Sequence, residues 1–309
     1  MPQLAFIGNP VAGNGKALKL WPKIENALKR KGWEYSINWS KNKEHAEELS
    51  KIKLSEAPGI IVALGGDGTI NSVIQGFYKN NFLGNNTLFT AFPCGTGNDW
   101  CRYWKISDDI DIWVKMIAAG KSFDHDLGLI EYITNEKKKE SAVFNNVAGI
   151  AYDAYVVDYI ESKKKKMKVG GLQYLYFIFR CLFGYKLQES RIRWEGKEMA
   201  DKFYTINIGI CPYSGGGLRL VPHAVPDDGL LAITAIRPLN KLQVLLLSRH
   251  FYSGKIHLHN KAISFNTESL EVLPVNENEI IRLESEGELL GNLPVKISVI
   301  KKAVKICAP

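Results

Sequence analysis

Residues 59–69 read Gly-Ile-Ile-Val-Ala-Leu-Gly-Gly-Asp-Gly-Thr, and this stretch decides the fold of the first part of the chain. Its apolar, β-branched beginning, residues 59–64, is typical of a buried parallel strand. Apolar residues from 70 to 77 then recur at the spacing of one helix face. A strand that turns into a helix through glycines places backbone N–H groups and the positive helix end together, which favours phosphate. Because Asp67 adds a carboxylate, the stretch predicts phosphoryl transfer with a divalent metal.

Two further glycine-rich turns follow strand-like runs. Residues 8–15 read Gly-Asn-Pro-Val-Ala-Gly-Asn-Gly, and residues 93–99 read Pro-Cys-Gly-Thr-Gly-Asn-Asp. The first turn is neither a Walker A loop nor a dinucleotide fingerprint, and alone it is equally compatible with an ordinary tight turn. Because loops after parallel strands meet at one edge of the sheet, the three loops together predict a ligand site there.

Strand and helix patterns alternate through the first 125 residues. Helical spacing of apolar residues predicts helices near 17–28, 44–53 and 108–119, and alternation of apolar and polar residues predicts a strand at 33–39. Strands that alternate with helices indicate a mostly parallel sheet with right-handed crossovers. The sequence therefore predicts an α/β domain at the start of the chain.

The pattern changes after Asp126, where short β-rich runs alternate with turn clusters. This alternation predicts a β-sandwich or meander. The only helical segment expected in this half is 155–185, which contains the basic run from Lys163 to Lys168. The β-rich runs lie at 141–145, 191–194, 203–211, 230–236, 262–265, 271–273, 280–283 and 295–299.

Composition limits the classes of function. A length of 309 residues is enough for two domains, and a net charge of +8 suits acidic partners such as nucleotide or anionic lipid. Nucleic acid is disfavoured, because the basic residues form no recognisable binding module with aromatic residues. The five cysteines form no Cys-x-x-Cys pair, which disfavours a disulfide framework or zinc site. Without a signal-peptide pattern or a membrane-length apolar run, the expected location is the cytoplasm.

The three loops resemble those of the diacylglycerol kinase catalytic-domain family, which includes bacterial soluble lipid kinases and sphingosine kinases. The loop residues that carry the resemblance are Gly8–Gly15, Gly65–Asn71, and Pro93–Asp99 with Arg102. Later motifs stand in the expected order: Asp126-Leu127-Gly128, Phe144-Asn145-Asn146 with Gly149, Gly215-Gly216-Gly217 with Pro222, Ala224, Asp228 and Gly229, and Glu286-Gly287-Glu288.

The resemblance implies an architecture. It predicts a nucleotide-binding α/β domain at 1–125, to which residues 301–309 return. It also predicts a β-sandwich domain for the lipid substrate at 126–300, with the helical insertion at about 155–185. The active site is expected in the cleft between the two domains.

The resemblance also implies roles for single residues. Residues expected to bind ATP are Asn9, Pro10, Val11, Ala12, Gly13, Ser40, Gly65, Gly66, Asp67, Gly68, Thr69, Ile70, Asn71, Thr96 and Asn98. Asp67, Asp99, Asp228 and Glu288 resemble a carboxylate network that holds Mg²⁺ through water, which suits a metal that keeps its waters. Asp228 with the backbone oxygens of Val225 and Leu230 resembles a family metal site.

One departure concerns the general base. The family has Asp-Gly-Glu where this chain has Glu286-Gly287-Glu288, and the family's Asp is its proposed base. Glutamate also accepts a proton, but a shift of about 1 Å in a catalytic group can cost about a hundredfold in rate. We expect Glu286 to take the proton of a lipid hydroxyl, with Asp67 and Glu288 as further catalytic residues. Solvated carboxylates on a turn are the structural alternative.

Membrane contact and other functions stay open at this stage. The lysines of 163–168 beside an apolar helical face suit an anionic membrane at the inner face of the cell, but packing of that face on the sandwich explains it as well. The alternatives to a lipid kinase are a kinase of a soluble small molecule, similar to NAD kinases, and a nucleotide-binding regulator without turnover. The sequence does not identify the lipid. Relatives in the family are often dimers, and the chain itself carries no sequence signal for a homodimer.

Overall fold

The structure, a computed structural model, describes residues 3–134, 136–164, 176–177 and 179–309. The chain divides into two compact units. Unit 1 comprises Met1–Leu127 and Lys301–Pro309, and unit 2 comprises Gly128–Ile300. No helix among these described residues is both long and apolar enough to cross a membrane.

Unit 1 is built on a parallel sheet, as the sequence predicts. The strand order is β17–β4–β3–β1–β2, and all four pairings are parallel. Every residue of β3 is buried, which explains why that strand is apolar throughout. The strands are β1 (Gln3–Gly8), β2 (Glu34–Trp39), β3 (Ile60–Gly65), β4 (Leu88–Pro93) and the end of the last strand, β17 (Glu288–Cys307).

Five helices accompany this sheet. Gly32 and Gly120, with φ of 64° and 65°, end two of them in the left-handed conformation that glycine adopts without strain. The first helix contains a left-handed turn at Gly13, Asn14 and Gly15, so its regular part begins after that turn. The helices are α1 (Ala12–Lys31), α2 (Lys43–Ser55), α3 (Asp67–Lys79), α4 (Asp99–Tyr103) and α5 (Ile110–Ala119).

Unit 2 is a β-sandwich, also as predicted. One path of strands is β14–β13–β10–β7–β16–β17, and a second, β9–β8–β15–β17–β5–β6, shares β17. Apolar residues from both paths form one buried cluster that includes Phe144, Ile208 and Val272. The strands are β5 (Ser122–Ile133), β6 (Lys139–Phe144), β7 (Val147–Ala151), β8 (Gln188–Trp194), β9 (Lys197–Phe203), β10 (Thr205–Gly209), β11 (Tyr213–Ser214), β12 (Leu218–Arg219), β13 (Leu231–Ile236), β14 (Ala262–Thr267), β15 (Ser269–Pro274) and β16 (Arg282–Ser285).

The expectation of a single helical segment in this half is wrong. Helix α6 (Tyr152–Lys164) covers the first part of that segment, and 165–175 lie outside the described residues. A second helix, α7 (Lys241–Ser253), follows β13. Asn240 and Gln243 form a capping box at its start, and Gly254 closes its end with φ of 71°. The expected strand at 203–211 is interrupted at Tyr204. Phe203 ends β9, and residues 205–209 form the separate strand β10.

Candidate active site

The three glycine-rich loops leave the same edge of the unit 1 sheet. β1 ends at Gly8, β3 at Gly65 and β4 at Pro93. Gly8 pairs with Leu64 and Gly65 with Pro93, so the three strands end in register. The loops therefore start side by side at the carboxyl ends of parallel strands, where open α/β sheets bind ligands.

Glycines, which carry no side chain, allow the backbones of these loops to touch. A Cβ atom on Gly66 would lie 2.8 Å from the Cα of Gly95, closer than such atoms approach. A Cβ on Gly13 would overlap the carbonyl oxygen of Cys94. Glycine is therefore required at both contacts between the backbones of the loops.

The first loop holds two predicted nucleotide contacts in place. The N–H of Asn9 donates to Leu64 O at 3.0 Å, and Asn9 Oδ1 accepts from the N–H of Val11 at 3.1 Å. Ser40 donates to Gly8 O from both its N–H (2.8 Å) and its hydroxyl (3.1 Å). Asn9 and Ser40 thus lie at the end of β1. Ser40 is buried, and its hydroxyl is engaged in the hydrogen bond to Gly8 O.

The second loop opens α3. The N–H groups of Thr69 and Ile70 donate to Gly66 O at 2.9 and 3.1 Å, and the side chains of both residues are buried. A Cβ on Gly68, by contrast, would meet no atom within 4 Å. The backbone at Gly68 therefore borders open space, while the side chains of Ile70 and Asn71 are buried.

The third loop is closed by its own asparagine. Asn98, with φ of 52°, accepts from the N–H of Gly95 at 2.9 Å and donates to Gly95 O at 3.0 Å. Both bonds fix the loop, so Asn98 contributes to its shape. Thr96 at the tip is exposed, which leaves its hydroxyl accessible to a ligand.

Asp67 and Asp99 lie beside these loops, close enough for their charges to interact. Asp67 Oδ1 accepts from the N–H of Trp100 at 3.1 Å, and Asp99 is 4% exposed. Burial and the nearby charge of Asp99 raise the pKa of Asp67 to about 6, although backbone N–H donors oppose the shift. Two carboxylates that repel each other next to glycine loops suit a divalent cation with oxygen ligands.

In unit 2, Glu286 lies in the two-residue turn between β16 and β17. Glu286 and Gly287 have φ of 54° and 79°, the left-handed pair of a tight hairpin turn. Glu286 Oε1 accepts from the N–H groups of Asn145 (2.9 Å) and Asn146 (2.6 Å), and Oε2 accepts from Asn146 Nδ2 at 3.2 Å. The structure therefore joins Glu286 to the Phe144-Asn145-Asn146 motif.

The predicted metal ligands of unit 2 are Glu288 and the Asp228 loop. Glu288 is half-buried and pairs with Ser285 across the turn. Asp228 is exposed, and its Oδ1 accepts from the N–H of Leu230 at 2.9 Å within the same loop as Val225. Within the described part of the chain, no group of three or more His, Cys, Asp and Glu residues could hold a metal ion.

Unit 2 also contains an apolar pocket that the sequence did not indicate. Its empty space is about 1000 Å³, part of which is open to solvent. Four polar residues line one part of it: Asp153, Thr205, Asn207 and Glu284. The apolar lining includes Tyr152, Val156, Phe179, Tyr204, Leu239, Val244 and Phe251.

Two carboxyl groups distinguish this pocket: Glu284 is buried, and Asp153 is half-buried. Asp153 accepts a hydrogen bond from the Thr205 hydroxyl, and burial raises the pKa of Asp153 to about 6. Burial, with the charge of Asp153 in addition, holds the pKa of Glu284 well above its usual range. Glu284 Oε2 accepts from the N–H of Gly287 at 2.9 Å, which connects the pocket to the Glu286 turn. In the sequence, the only hint of this pocket is that Glu284 stands two residues before the Glu-Gly-Glu motif.

Comparison with protein families matches both halves of the chain. Residues 3–130 match the diacylglycerol kinase catalytic domain, and residues 146–308 match the YegS C-terminal NAD kinase beta sandwich-like domain. A diacylglycerol kinase of Staphylococcus carnosus is 26% identical over 98% of this chain and 94% of its own length. One from Staphylococcus haemolyticus is 25% identical over 98% of this chain and 87% of its own length.

Solved structures show the same fold. A Bacillus anthracis structure assigned as a diacylglycerol kinase has a TM-score of 0.78 at 20% identity, and covers 100% of this chain and 95% of its own. Yeast NADH kinase, in complex with NADH, has a TM-score of 0.57 at 12% identity, and covers 100% of this chain and 84% of its own. These likenesses concern the fold alone.

Proposed function

The chain belongs to the diacylglycerol kinase catalytic-domain family, and on that premise we propose that it is an ATP- and Mg²⁺-dependent lipid kinase. It transfers the γ-phosphoryl group of ATP to the hydroxyl of diacylglycerol or of a sphingoid-type alcohol. The observation that carries the proposal is the meeting of three glycine loops and two carboxylates, Asp67 and Asp99, at one sheet edge. Phosphoryl transfer depends mainly on such positioning and charge neutralisation.

The loops of unit 1 bind the nucleotide phosphates. The open backbone at Gly68 and the exposed hydroxyl of Thr96 contact phosphate oxygens, and the start of α3 supplies its positive end. Asn9 and Ser40 shape the end of β1 on the nucleotide side. The buried side chains of Ile70 and Asn71 act indirectly, by fixing the helix start.

Asp67 and Asp99 are the residues that would hold Mg²⁺. Their donor chemistry fits, since two neighbouring carboxylates gain most from a hard cation that keeps several waters. The bound metal would neutralise the charge of the phosphates. The N–H of Trp100, which donates to Asp67, and the burial of Asp99 hold these two carboxyl groups in place.

The unit 2 pocket binds the apolar part of the alcohol. Aromatic and aliphatic side chains with a few polar groups at one side are typical of pockets for amphiphilic ligands. A pocket of this lining favours a lipid over the soluble acceptor of an NAD-type kinase, although the yeast NADH kinase shares the fold. Thr205 and Asp153 are placed to hydrogen-bond a head group.

Glu286 is the proposed base for the alcohol. A carboxylate has about four acceptor sites, and the three donors from Asn145 and Asn146 occupy most of them while they fix its position. We expect Glu286→Gln to lower kcat by about a hundredfold or more, the usual range for general-base catalysis, with unchanged ATP binding. Full turnover of this variant would exclude Glu286 as the base.

A second cation site is proposed at Asp228 with the backbone oxygens of Val225 and Leu230. Carboxylate and carbonyl oxygens in an exposed loop suit a hard cation. Its role would be to stabilise that loop, because Asp228 already organises it through Leu230 N. Asp228→Asn should lower the metal-dependent gain in thermal stability, and an equal gain in both proteins would exclude the site.

Incubation with γ-labelled ATP, Mg²⁺ and a mixed lipid extract tests the proposed function. We expect label in the organic phase, in a spot whose mobility identifies the acceptor class, and no label after Asp67→Asn. An unlabelled organic phase from a protein that binds ATP would contradict the lipid kinase. Label on a water-soluble acceptor would instead support the small-molecule kinase.

A further inference from the structure

Helix α7 keeps leucines exposed on the side that faces away from the core. Leu242 and Leu246, one helical turn apart, are 64% and 57% exposed. Val244, on the opposite side, is 8% exposed and packs in a cluster with Tyr152 and Phe177. A helix that is apolar on both sides is normally buried on both sides. The exposed leucines therefore indicate a surface that another apolar phase covers.

The segments around these leucines are basic and contain no carboxylate. Neither 176–187 nor 241–261 has a single Asp or Glu, although 32 of the chain's 309 residues are acidic. Lys241 Nζ lies 4.8 Å from the ring centroid of the exposed Phe183, which joins the two segments on one surface. We define the basic-apolar face by five exposed side chains: Phe183, Lys241, Leu242, Leu246 and Arg249.

We propose that the basic-apolar face docks on the surface of an anionic lipid bilayer. Leu242 and Leu246 enter the boundary between head groups and acyl chains, and the basic side chains pair with anionic head groups. Charge argues against a second copy of this chain as the occupant, because two such faces would oppose like charges. The positive charge of the face therefore favours an anionic lipid surface over a second copy of the chain.

Docking at this face brings α7 to the bilayer, and α7 is a wall of the unit 2 pocket. Val244, Phe251 and Tyr252 of α7 line that pocket. A lipid alcohol reaches the pocket from the bilayer without crossing water, which would be costly for its apolar part. This link rests on the proposed function, whereas the docking itself does not.

Vesicle binding of the full chain, without ATP, tests the docking. The vesicles are phosphatidylcholine alone, or phosphatidylcholine with about a quarter phosphatidylglycerol. We expect binding only to the anionic vesicles. Lys241→Gln with Arg249→Gln should weaken it about twenty-five-fold, on the order of a fivefold loss for each cation. Leu242→Ser with Leu246→Ser should weaken it at least about tenfold.

A matched variant controls for general loss of charge and apolar surface. Ile280 is 60% exposed and Lys197 is exposed, and both lie in unit 2 away from the two segments in sequence. Ile280→Ser with Lys197→Gln should bind like the unchanged protein. Unfolding temperatures of all variants should agree, because every replaced side chain is exposed.

Other outcomes would overturn the proposal. Equal binding to both vesicle types, or unaltered binding by the lysine–arginine and leucine variants, would exclude the face. A dimer that becomes a monomer on Leu242→Ser with Leu246→Ser would assign the face to a second copy. Vesicle binding that follows the predicted pattern in a protein without lipid phosphorylation would support docking and contradict only the lipid kinase.

Discussion

The glycine loops of unit 1 and the pocket of unit 2 are built in opposite ways. Each loop is a short continuous motif whose contacts depend on the absence of side chains, as at Gly66 and Gly95. The pocket is lined by side chains from α6, α7 and several strands that lie far apart in the sequence. Phosphate binding needs backbone N–H groups and charge at one point. An apolar ligand needs a large apolar contact surface, which side chains supply only once the chain has folded.

This difference leads to separate expectations for the two regions. Changes in the loops should affect the nucleotide and the rate, and changes in the pocket should affect the lipid and the stability of unit 2. A loop variant that altered lipid affinity alone, or a pocket variant that altered ATP affinity alone, would break the comparison.

The largest effect is expected at Asp67. Asp67→Asn removes a carboxylate proposed to hold Mg²⁺ and should lower kcat about 10³-fold, the scale of groups that neutralise charge in the transition state. Stability should be unchanged or higher, because the variant ends the repulsion with Asp99. Steady-state kinetics and urea unfolding measure both. A stable variant with normal kcat would place the metal elsewhere.

Gly66→Ala should have the next largest effect. Its new methyl group meets the backbone of Gly95, so the two loops must separate, and a shift of about 1 Å can cost about a hundredfold in rate. The matched control is Gly68→Ala, whose methyl group enters open space. The unfolding of Gly68→Ala should match that of the original protein. Its ATP affinity, measured by isothermal titration, should fall, because the methyl group occupies the space proposed for the phosphates. Equal unfolding of both variants would contradict the loop contact.

Asp153 should make unit 2 less stable as the pH rises. Burial raises its pKa from 3.8 to about 6, so the folded state binds the proton more tightly than the unfolded state does. The stabilisation is therefore complete below about pH 4 and lost as the pH passes 6. Because Asp153 is only partly covered, we expect a loss of about 2 kcal/mol.

Asp153→Asn isolates this contribution. Urea unfolding between pH 4 and 7 should show a flatter dependence for the variant than for the original protein. The difference between the two proteins is the quantity to compare, since other groups titrate in both. Parallel curves would show that Asp153 is not buried as described.

The smallest effect is expected from filling the pocket. Ser214 lines the pocket and is half-buried, so Ser214→Trp should occupy part of the space with little strain. The KM for the lipid should rise about tenfold, which corresponds to about 1.4 kcal/mol, while the KM for ATP stays constant. Ser214→Ala serves as the control. A rise in the KM for ATP as well would contradict separate sites for the nucleotide and the lipid.

Much of unit 1 could be predicted from the sequence, because its signals are local. The run at 60–64 is buried on both faces, and Gly65 to Thr69 carry their turn geometry in their own composition. The same holds for Asp67 and Asp99, whose loops follow neighbouring strands. Parallel pairing then brings the motifs together without further information.

Unit 2 was less predictable for physical reasons. Helix α7 has apolar residues on both sides, so no single polar face marked it as a helix, although Asn240, Gln243 and Gly254 carried its end signals. Asp153 and Glu284 belong to no motif, and their burial follows from strands that pair only in the folded chain. The three donors to Glu286 likewise come from residues about 140 positions away.

The most direct test of the central claim is hydrogen–deuterium exchange with each ligand alone. The account predicts that ATP with Mg²⁺ protects amides of the loops at 65–69 and 95–99, and that a short-chain diacylglycerol or sphingoid alcohol protects α6, α7 and the strands around the pocket. Protection of the same unit by both ligands would contradict separate sites for nucleotide and lipid. Lipid protection outside the pocket would contradict the acceptor site.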